Sequence, residues 1–362
     1  MTGGLVKTTE DSSIPKSVRA CVNQAAATRA DEKMILAGDI GGTNTRFGLF
    51  RHECDRPESV ATEIYGSSSL SSLEEGIERF LQEHPARISA ACFGVAGPVI
   101  KGVCHVTNLP WVVSEARIRE RFAFEQATLV NDLLAIAHAI EILTADDLLV
   151  LQAAEGDPDG NVAILAPGTG LGVGFLFNIQ GAMHPVASQG GHVDFAPTTD
   201  LEISLLQTLR KKFARVSLER VASGAGMLEI YRTLRATRQD QGSCGDAIDV
   251  SDASSPQEIT RRAVEYGDPL CVETVRLFLR IIGSAAGNLI LMSMATKGLY
   301  LAGGVLPHVA PLIREGLLLE ALLDKGRFRD LLLRVPVYVI LNQQTGLLGA
   351  ARLAVKSLNL RR

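Results

Sequence analysis

The sequence predicts an α/β chain of two domains, and three observations predict it. Several apolar strands come first, and helices then alternate with strands, the order that builds layered sheets and helices. A strand, a glycine turn and a second strand occur twice, at "GDIGGTNTR" (38–46) and "APGTGLGVG" (166–174). With 362 residues, the chain has the length of two domains or one large one.

The elements follow in order. Residues 1–33 lack the apolar run of a secretory signal and read as a polar tail, and Glu10, Asp11, Asp31 and Glu32 disfavour an organellar address. Order starts with "MILAGDI" (34–40), a buried strand, and "TRFGLF" (45–50) completes a hairpin after the glycine turn. "SVATEIY" (59–65) is a third strand, and "SLSSLEEGIERFLQEH" (69–84) is a helix opened by serine caps. "ISAACFGVAGPV" (88–99) is a strand running into a Gly-Pro turn. "ATLVND" (127–132) is another strand, with the helix "DLLAIAHAI" (132–140) after it. A second unit begins near "NVAILAPGTG" (161–170) and continues through "GVGFLFNI" (172–179). Helices are expected around 200–213, 219–236 and 269–296, the last with Gly283, Ala285, Ala286 and Gly287 permitting close backbone approach. "GLYLAGGV" (298–305) is a strand ending in a glycine turn, "VPVYVIL" (335–341) the last strand, and "GLLGAARLAVKSL" (346–358) the last helix. The Gly/Ser/Asp-rich stretch 238–256 reads as a surface loop.

Composition narrows the function classes. Apolar residues are 46% and charged residues 21%, enough for a core and too few charges for a disordered chain. A net charge of −4 without a long basic run sets the chain against nucleic-acid and anionic-membrane partners. The six cysteines (Cys21, Cys54, Cys92, Cys104, Cys244 and Cys271) are scattered, with no C-x-x-C pair. They read as free thiols of a reducing cytoplasm, not as a disulfide framework or zinc site. The charge-free run between Arg280 and Lys297 falls short of the roughly 20 apolar residues that a membrane helix needs.

Six stretches are candidates for chemistry. In "GDIGGTNTR", Gly38, Gly41 and Gly42 let backbone N–H groups approach phosphate oxygens, while Thr43 and Asn44 add side-chain hydrogen bonds. Asp39 ends the strand, where a carboxylate can hold magnesium through water. The spacing is not G-x-G-x-x-G, and no Gly-Lys pair exists, which excludes a Walker A loop. Gly168, Thr169 and Gly170 can cradle a second phosphate group, and Gly303 and Gly304 leave room for a flat base or ribose. Each glycine turn, taken alone, also suits an ordinary hairpin. Asn108, Asn131 and Asp132 are expected at strand ends, where an amide offers a sugar hydroxyl both donor and acceptor and a carboxylate can take its proton. "ND" before an apolar helix is equally a helix cap, and a cap position is compatible with catalysis. "ASQGGHVDF" (187–195) offers one His and one Asp without a third ligand nearby, which is poor for a metal.

Together these stretches resemble the bacterial-type glucokinases, in the superfamily of hexokinases, actin and the heat-shock ATPases. The resemblance runs from about Met34 to the last helix, carried by "GDIGGTNTR", "TNLPW", "VNDLLAIA", "PGTGLGVG", "QGGHVDFAP", "VSLERVASGAG", "GNL", "LAGGV", "DKGRF" and "TGLLGAARL". It implies the two-domain actin-like, ribonuclease H-like ATPase fold, with a cleft that closes on sugar and ATP. The domains expected are a small one, 34–142 plus 342–362, and a large one, 143–341. Asp132 would be the general base on the sugar 6-hydroxyl. Asn108, Asn131, Gln189, His192 and Glu219 would face the sugar. Asp39 would position magnesium. Residues Gly38, Asp39, Ile40, Gly41, Gly42, Thr43 and Asn44, with Gly168, Thr169 and Gly170, would surround the ATP phosphates, and Gly303 and Gly304 the nucleoside. The resemblance also implies a cytoplasmic enzyme, often a homodimer.

Two departures stand out. The family usually has Glu where this chain has Gln189, and often Pro where Ala225 stands. A neutral hydrogen bond is worth about 0.5–1.5 kcal/mol and a charged one about 1.5–3, so glucose affinity or hexose preference is expected to shift. The alternatives are a kinase for another hexose and a nucleotide switch of the actin or heat-shock kind, for which the sugar-facing set has no use. A sugar-responsive regulator lacks support, because the tail is short and polar and His192 has no cysteine cluster beside it.

Overall fold

The structure is a computed structural model, and it describes residues 33–52, 55–240 and 255–359. The polar tail and most of the Gly/Ser/Asp-rich stretch lie outside the described residues. The chain opens with a hairpin of β1 (Lys33–Ile40) and β2 (Asn44–Arg51), as its apolar runs and glycine turn require. β3 (Glu58–Gly66) extends it, and α1 (Leu73–Glu83) starts where Ser72 Oγ accepts from Glu75 N at 3.1 Å. Leu73, Ile77 and Phe80 then share one buried helix face, with Phe80 and Phe47 rings 5.7 Å apart. β4 (Arg87–Val95) runs parallel to β1. A small meander of β5 (Val99–Ile100), β6 (Val103–His105) and β7 (Val112–Ser114) leads into α2 (Glu115–Phe122). β8 (Ala127–Asn131) completes the sheet order β3-β2-β1-β4-β8, and α3 (Asp132–Ala139) follows without a gap.

The second half repeats this plan. After the edge strand β9 (Leu148–Gln152) come β10 (Val162–Pro167), β11 (Leu171–Ile179) and β12 (Ala182–Ser188). Helices α4 (Asp200–Arg210), α5 (Gly224–Asp240), α6 (Ser255–Arg261) and α7 (Pro269–Ser293) precede β13 (Gly298–Leu301). The short helices α8 (Ala310–Ile313), α9 (Leu317–Leu323) and α10 (Arg329–Leu332) lead to β14 (Val337–Ile340), and α11 (Thr345–Asn359) ends the described chain. The sheet order is β12-β11-β10-β13-β14-β9, so its first five places match the first sheet strand for strand. In both, the leading hairpin is antiparallel and the next two strands are parallel; β9 then adds an antiparallel edge to the second sheet. The two glycine turns therefore occupy equivalent corners, as their sequences suggested.

Several elements differ from expectation. The helix placed at 219–236 is a 3₁₀ turn, Leu218–Arg220, followed by α5 from Gly224. Ser223 breaks the run by donating from Oγ to Glu219 O (2.8 Å) and accepting from Gly226 N (3.2 Å). α7 stops at Ser293, before 296, because Met294 adopts a left-handed backbone (φ 48°). By length and composition alone α7 could cross a bilayer, but 72% of its apolar window is buried within the fold. Its Gly283 lets α9 approach so closely that a Cβ there would lie 2.0 Å from Leu318 O.

α3 packs on both sheets. Its Ala135 joins Ile35, Ala37, Leu347 and Ala351 beneath the first. Its Ala137, with Ile140 just past its end, joins Ile164 and Leu176 beneath the second. The catalytic candidate Asp132 thus begins the helix that both cores share.

Candidate active site

Asp132 is the first residue of α3, and Asn131 is its N-cap. Asn131 Oδ1 accepts from Leu133 N (3.1 Å), and its Nδ2 donates to Gly97 O (3.2 Å). Asp132 Oδ1 accepts from the same Leu133 N at 2.9 Å. The cap is real, and it fixes Asp132 at the helix entrance. Burial and the negative charge of Asp39 push the Asp132 carboxyl up to about 6, against the pull of the Leu133 amide and the Asn131 side chain. Burial also lifts Asp39, with Arg46 pulling the other way from 3.4 Å.

The first glycine turn is closed by Gly41 N donating to Asn44 O at 2.9 Å. Ser67 supports it from outside, donating from Oγ to Gly41 O (2.7 Å) and from N to Thr43 O (2.9 Å). Thr43 and Asn44 are exposed at its tip. Gly38 and Ile40 are buried in the sheet, so only their backbones can serve a ligand. Asn108 does not sit at a strand end. It lies in the turn beyond β6, in a left-handed conformation (φ 64°), because the chain must double back there to form β7. That turn packs on Gly42, whose Cβ would lie 3.3 Å from Asn108 Cβ.

The second glycine turn is closed by Gly168 N donating to Gly170 O (2.9 Å), while Gly224 N donates to Gly168 O (2.9 Å). Thr169 is exposed at the rim of a 380 Å³ cavity shared with His192, Arg215, Glu219 and Arg220. Glu219 faces two ways. Its Oε2 accepts from Leu171 N (2.9 Å), just past the turn, and its Oε1 lies 3.9 Å from His192 Nδ1. Gln189 precedes the 3₁₀ turn Gly190–His192, and both Gln189 and His192 are exposed. Gly191 packs on β11 so tightly that a Cβ would lie 2.1 Å from Leu171 O. Gly303 (φ 92°) lies against Pro167, where a Cβ would be 2.3 Å from the carbonyl oxygen, and Gly304 faces open space.

The two groups meet at α3. Leu133, next to Asp132, covers Gly172, where a Cβ would be 2.5 Å from Leu133 Cδ2. The base candidate therefore adjoins both glycine turns. Gly303 and Gly304 join the second turn through Pro167. Sequence reasoning missed Ser67, which lies between the strand read at 59–65 and the helix read at 69–84, and Arg46, which stands opposite Asp39 in the hairpin register. Counting back across the turn finds Arg46; nothing local points to Ser67. Among the described residues, the one His/Asp/Glu group with metal-ligand spacing is Glu63, Glu83 and His84, which includes none of these residues.

The family model described as Glucokinase matches residues 36–357. A curated glucokinase of Synechocystis sp. is 38% identical over 348 residues, 89% of this chain and 98% of that protein. A crystal structure of glucokinase from an Antarctic psychrotroph superposes with a TM-score of 0.76 at 32% identity, covering 90% of this chain and 99% of that one. The glucokinase of Balamuthia mandrillaris in complex with glucose has the same fold, with a TM-score of 0.74 at 22% identity, covering 94% of this chain and 99% of that one.

Proposed function

Because this chain belongs to the glucokinase family and is an ATP-dependent glucose kinase, we propose that Asp132 is its general base. As the sugar 6-oxygen forms its bond to the terminal phosphorus, the bond from that phosphorus to the ADP oxygen breaks and the hydroxyl proton passes to Asp132. The observation carrying this is the carboxyl at the start of α3, half-buried, beside Asp39, and raised to about 6. Such a group is ionised at neutral pH and more basic than an ordinary carboxylate.

The remaining roles belong to the same proposal. Asn108, Asn131, Gln189, His192 and Glu219 hold the sugar hydroxyls. Asn131 Nδ2 donates to Gly97 O and Oδ1 accepts from Leu133 N, which leaves a lone pair on Oδ1 for a ligand. The turn Gly41–Asn44 and the turn Gly168–Gly170 receive the phosphates, and Gly303 and Gly304 border the nucleoside. Asp39 fits magnesium through water, since one carboxylate suits an ion that keeps most of its waters and phosphate ligands. Gly346 presents no side chain to that carboxyl, where a Cβ would stand 3.2 Å from Asp39 Cγ. When bound, magnesium would neutralise phosphate charge. The same reading takes 34–142 plus 342–362 and 143–341 as domains that close on the substrates and exclude water. It includes a cytoplasmic homodimer; the free thiols of Cys92, Cys104 and Cys271 suit a reducing compartment.

Two measurements test this. kcat/KM is expected to rise as pH climbs through about 6 and to fall below it, because only ionised Asp132 can accept the proton. A flat profile between about pH 5 and 7 removes Asp132 from that role. Gln189→Glu is expected to lower glucose KM by up to about tenfold by adding charge to a sugar hydrogen bond. An unchanged KM and hexose preference would show that Gln189 does not bear on the sugar.

A further inference from the structure

The chain passes from the first sheet to the second between α3 and β9, and returns between β14 and α11, which packs back on the first sheet. Both passages meet at Asp147, the residue before β9. It is 7% exposed, and its carboxylate takes donors from three separate stretches of chain. Arg56, in the loop between β2 and β3, donates from Nη1 to Oδ2 (2.7 Å) and from Nη2 to Oδ1 (3.3 Å). Thr144, in the outward passage, donates to Oδ2 from N (2.8 Å) and from Oγ1 (3.0 Å). Asn342, in the return passage, donates from Nδ2 to Oδ1 (2.9 Å), and Leu341 N donates to the Asp147 carbonyl oxygen (2.8 Å). Arg56 Nη1 also donates to Ile142 O (2.8 Å), so one guanidinium grips the outward passage twice.

The far ends of these segments carry the proposed reacting groups. α3 starts at Asp132. Asn342 leads into α11: its Oδ1 accepts from Gln344 N (2.8 Å), its carbonyl oxygen accepts from Thr345 Oγ1 (2.6 Å), and Gly346 lies against Asp39. β9 and β14 belong to the second sheet, whose other strands lead to Gly168–Gly170 and to the Gly190–His192 turn. We propose that Asp147 is a positioning residue for the phosphoryl transfer: by binding Arg56, Thr144 and Asn342 together, it fixes how the half with Asn131 and Asp132 faces the half with His192 and Glu219. An exposed single ion pair would be too weak for this, but a buried carboxylate gripped through both oxygens resists bending. Arg56 holds that carboxyl far below the usual carboxylate range, so the contact persists through neutral and mildly acidic pH.

The proposal rests on the reading that the sugar is held from both halves. Once the clamp is loosened, the halves are misaligned part of the time, and apparent affinity falls with the competent fraction. Saturating glucose selects the aligned state, so kcat is kept. Arg56→Met and Asn342→Ala, assayed well below the Tm of each, are expected to raise glucose KM about five- to tenfold with kcat within about twofold. The double variant is expected to raise KM by less than the product of the two, because both act through Asp147. An unchanged KM in both single variants, or effects that multiply in the double one, overturns the clamp; a brace for stability alone lowers Tm and leaves KM where it was. His192→Ala and Asn131→Ala run alongside with the clamp intact, and each is expected to raise KM. If either leaves KM unmoved, the two-sided hold on the sugar has failed, and the clamp's role falls with it.

Discussion

Asp132→Asn is expected to lower kcat by about 10²–10⁴-fold while glucose still binds. The amide keeps the size of the side chain and an oxygen for the Leu133 amide, but it cannot take a proton. Stability should move the opposite way. Folding raises this carboxyl from its ordinary 3.8 to about 6, so its favourable contribution is full below pH 3.8 and is lost as pH rises through about 6. At neutral pH the ionised, partly desolvated carboxylate is a burden on the fold, and the neutral amide removes it. Steady-state kinetics and thermal unfolding on the same preparation check both halves. A near-normal kcat would end the base assignment, and a less stable variant would show that the carboxylate is better solvated than its surroundings indicate.

Gly349→Ala is expected to cost about 1–3 kcal/mol of stability and to depress kcat with it. Gly349 lies on α11 against α3, where a Cβ would fall 1.7 Å from Ala135 O and 2.6 Å from Ala135 C. Backbone cannot swing aside as a flexible side chain does, so the helices must separate. They are also tied by Arg352, which donates to His138 O at 2.8 Å and pairs with Glu141. Separation would carry the start of α3, and Asp132 with it, away from the glycine turns. The expected readout is a lower Tm together with lower kcat. A normal Tm would show that α11 can slide past α3 at little cost.

What could be read from sequence was local. Both hairpins were visible because apolar runs and glycines mark strand and turn within ten residues. Asp132 was visible because a cap residue before an apolar helix has a definite place. Short elements carry too little periodicity, so the meander around Asn108 was missed and that residue was assigned to a strand end. Contacts between distant segments were missed for a different reason. Ser67 bracing Gly41, and Ala135 against Gly349, depend on how strands and helices are stacked, which no local pattern records. Glu219 was found, but as a sugar contact alone. Its bond to Leu171 N appears only once the 3₁₀ turn at Leu218–Arg220 replaces the expected helix.

That bond has a thermodynamic meaning. The Glu219 carboxylate holds the backbone just past the second glycine turn with one oxygen and faces His192 with the other. If Glu219 and the Gly168–Gly170 turn have the proposed roles, a hexose that engages Glu219 changes the stiffness and position of the segment that receives ATP. Linkage is symmetric, so whatever factor the sugar applies to nucleotide affinity, the nucleotide applies to sugar affinity. On the proposed roles the two substrates are coupled ligands, and the affinity of each measured with and without the other gives the size and sign of that factor.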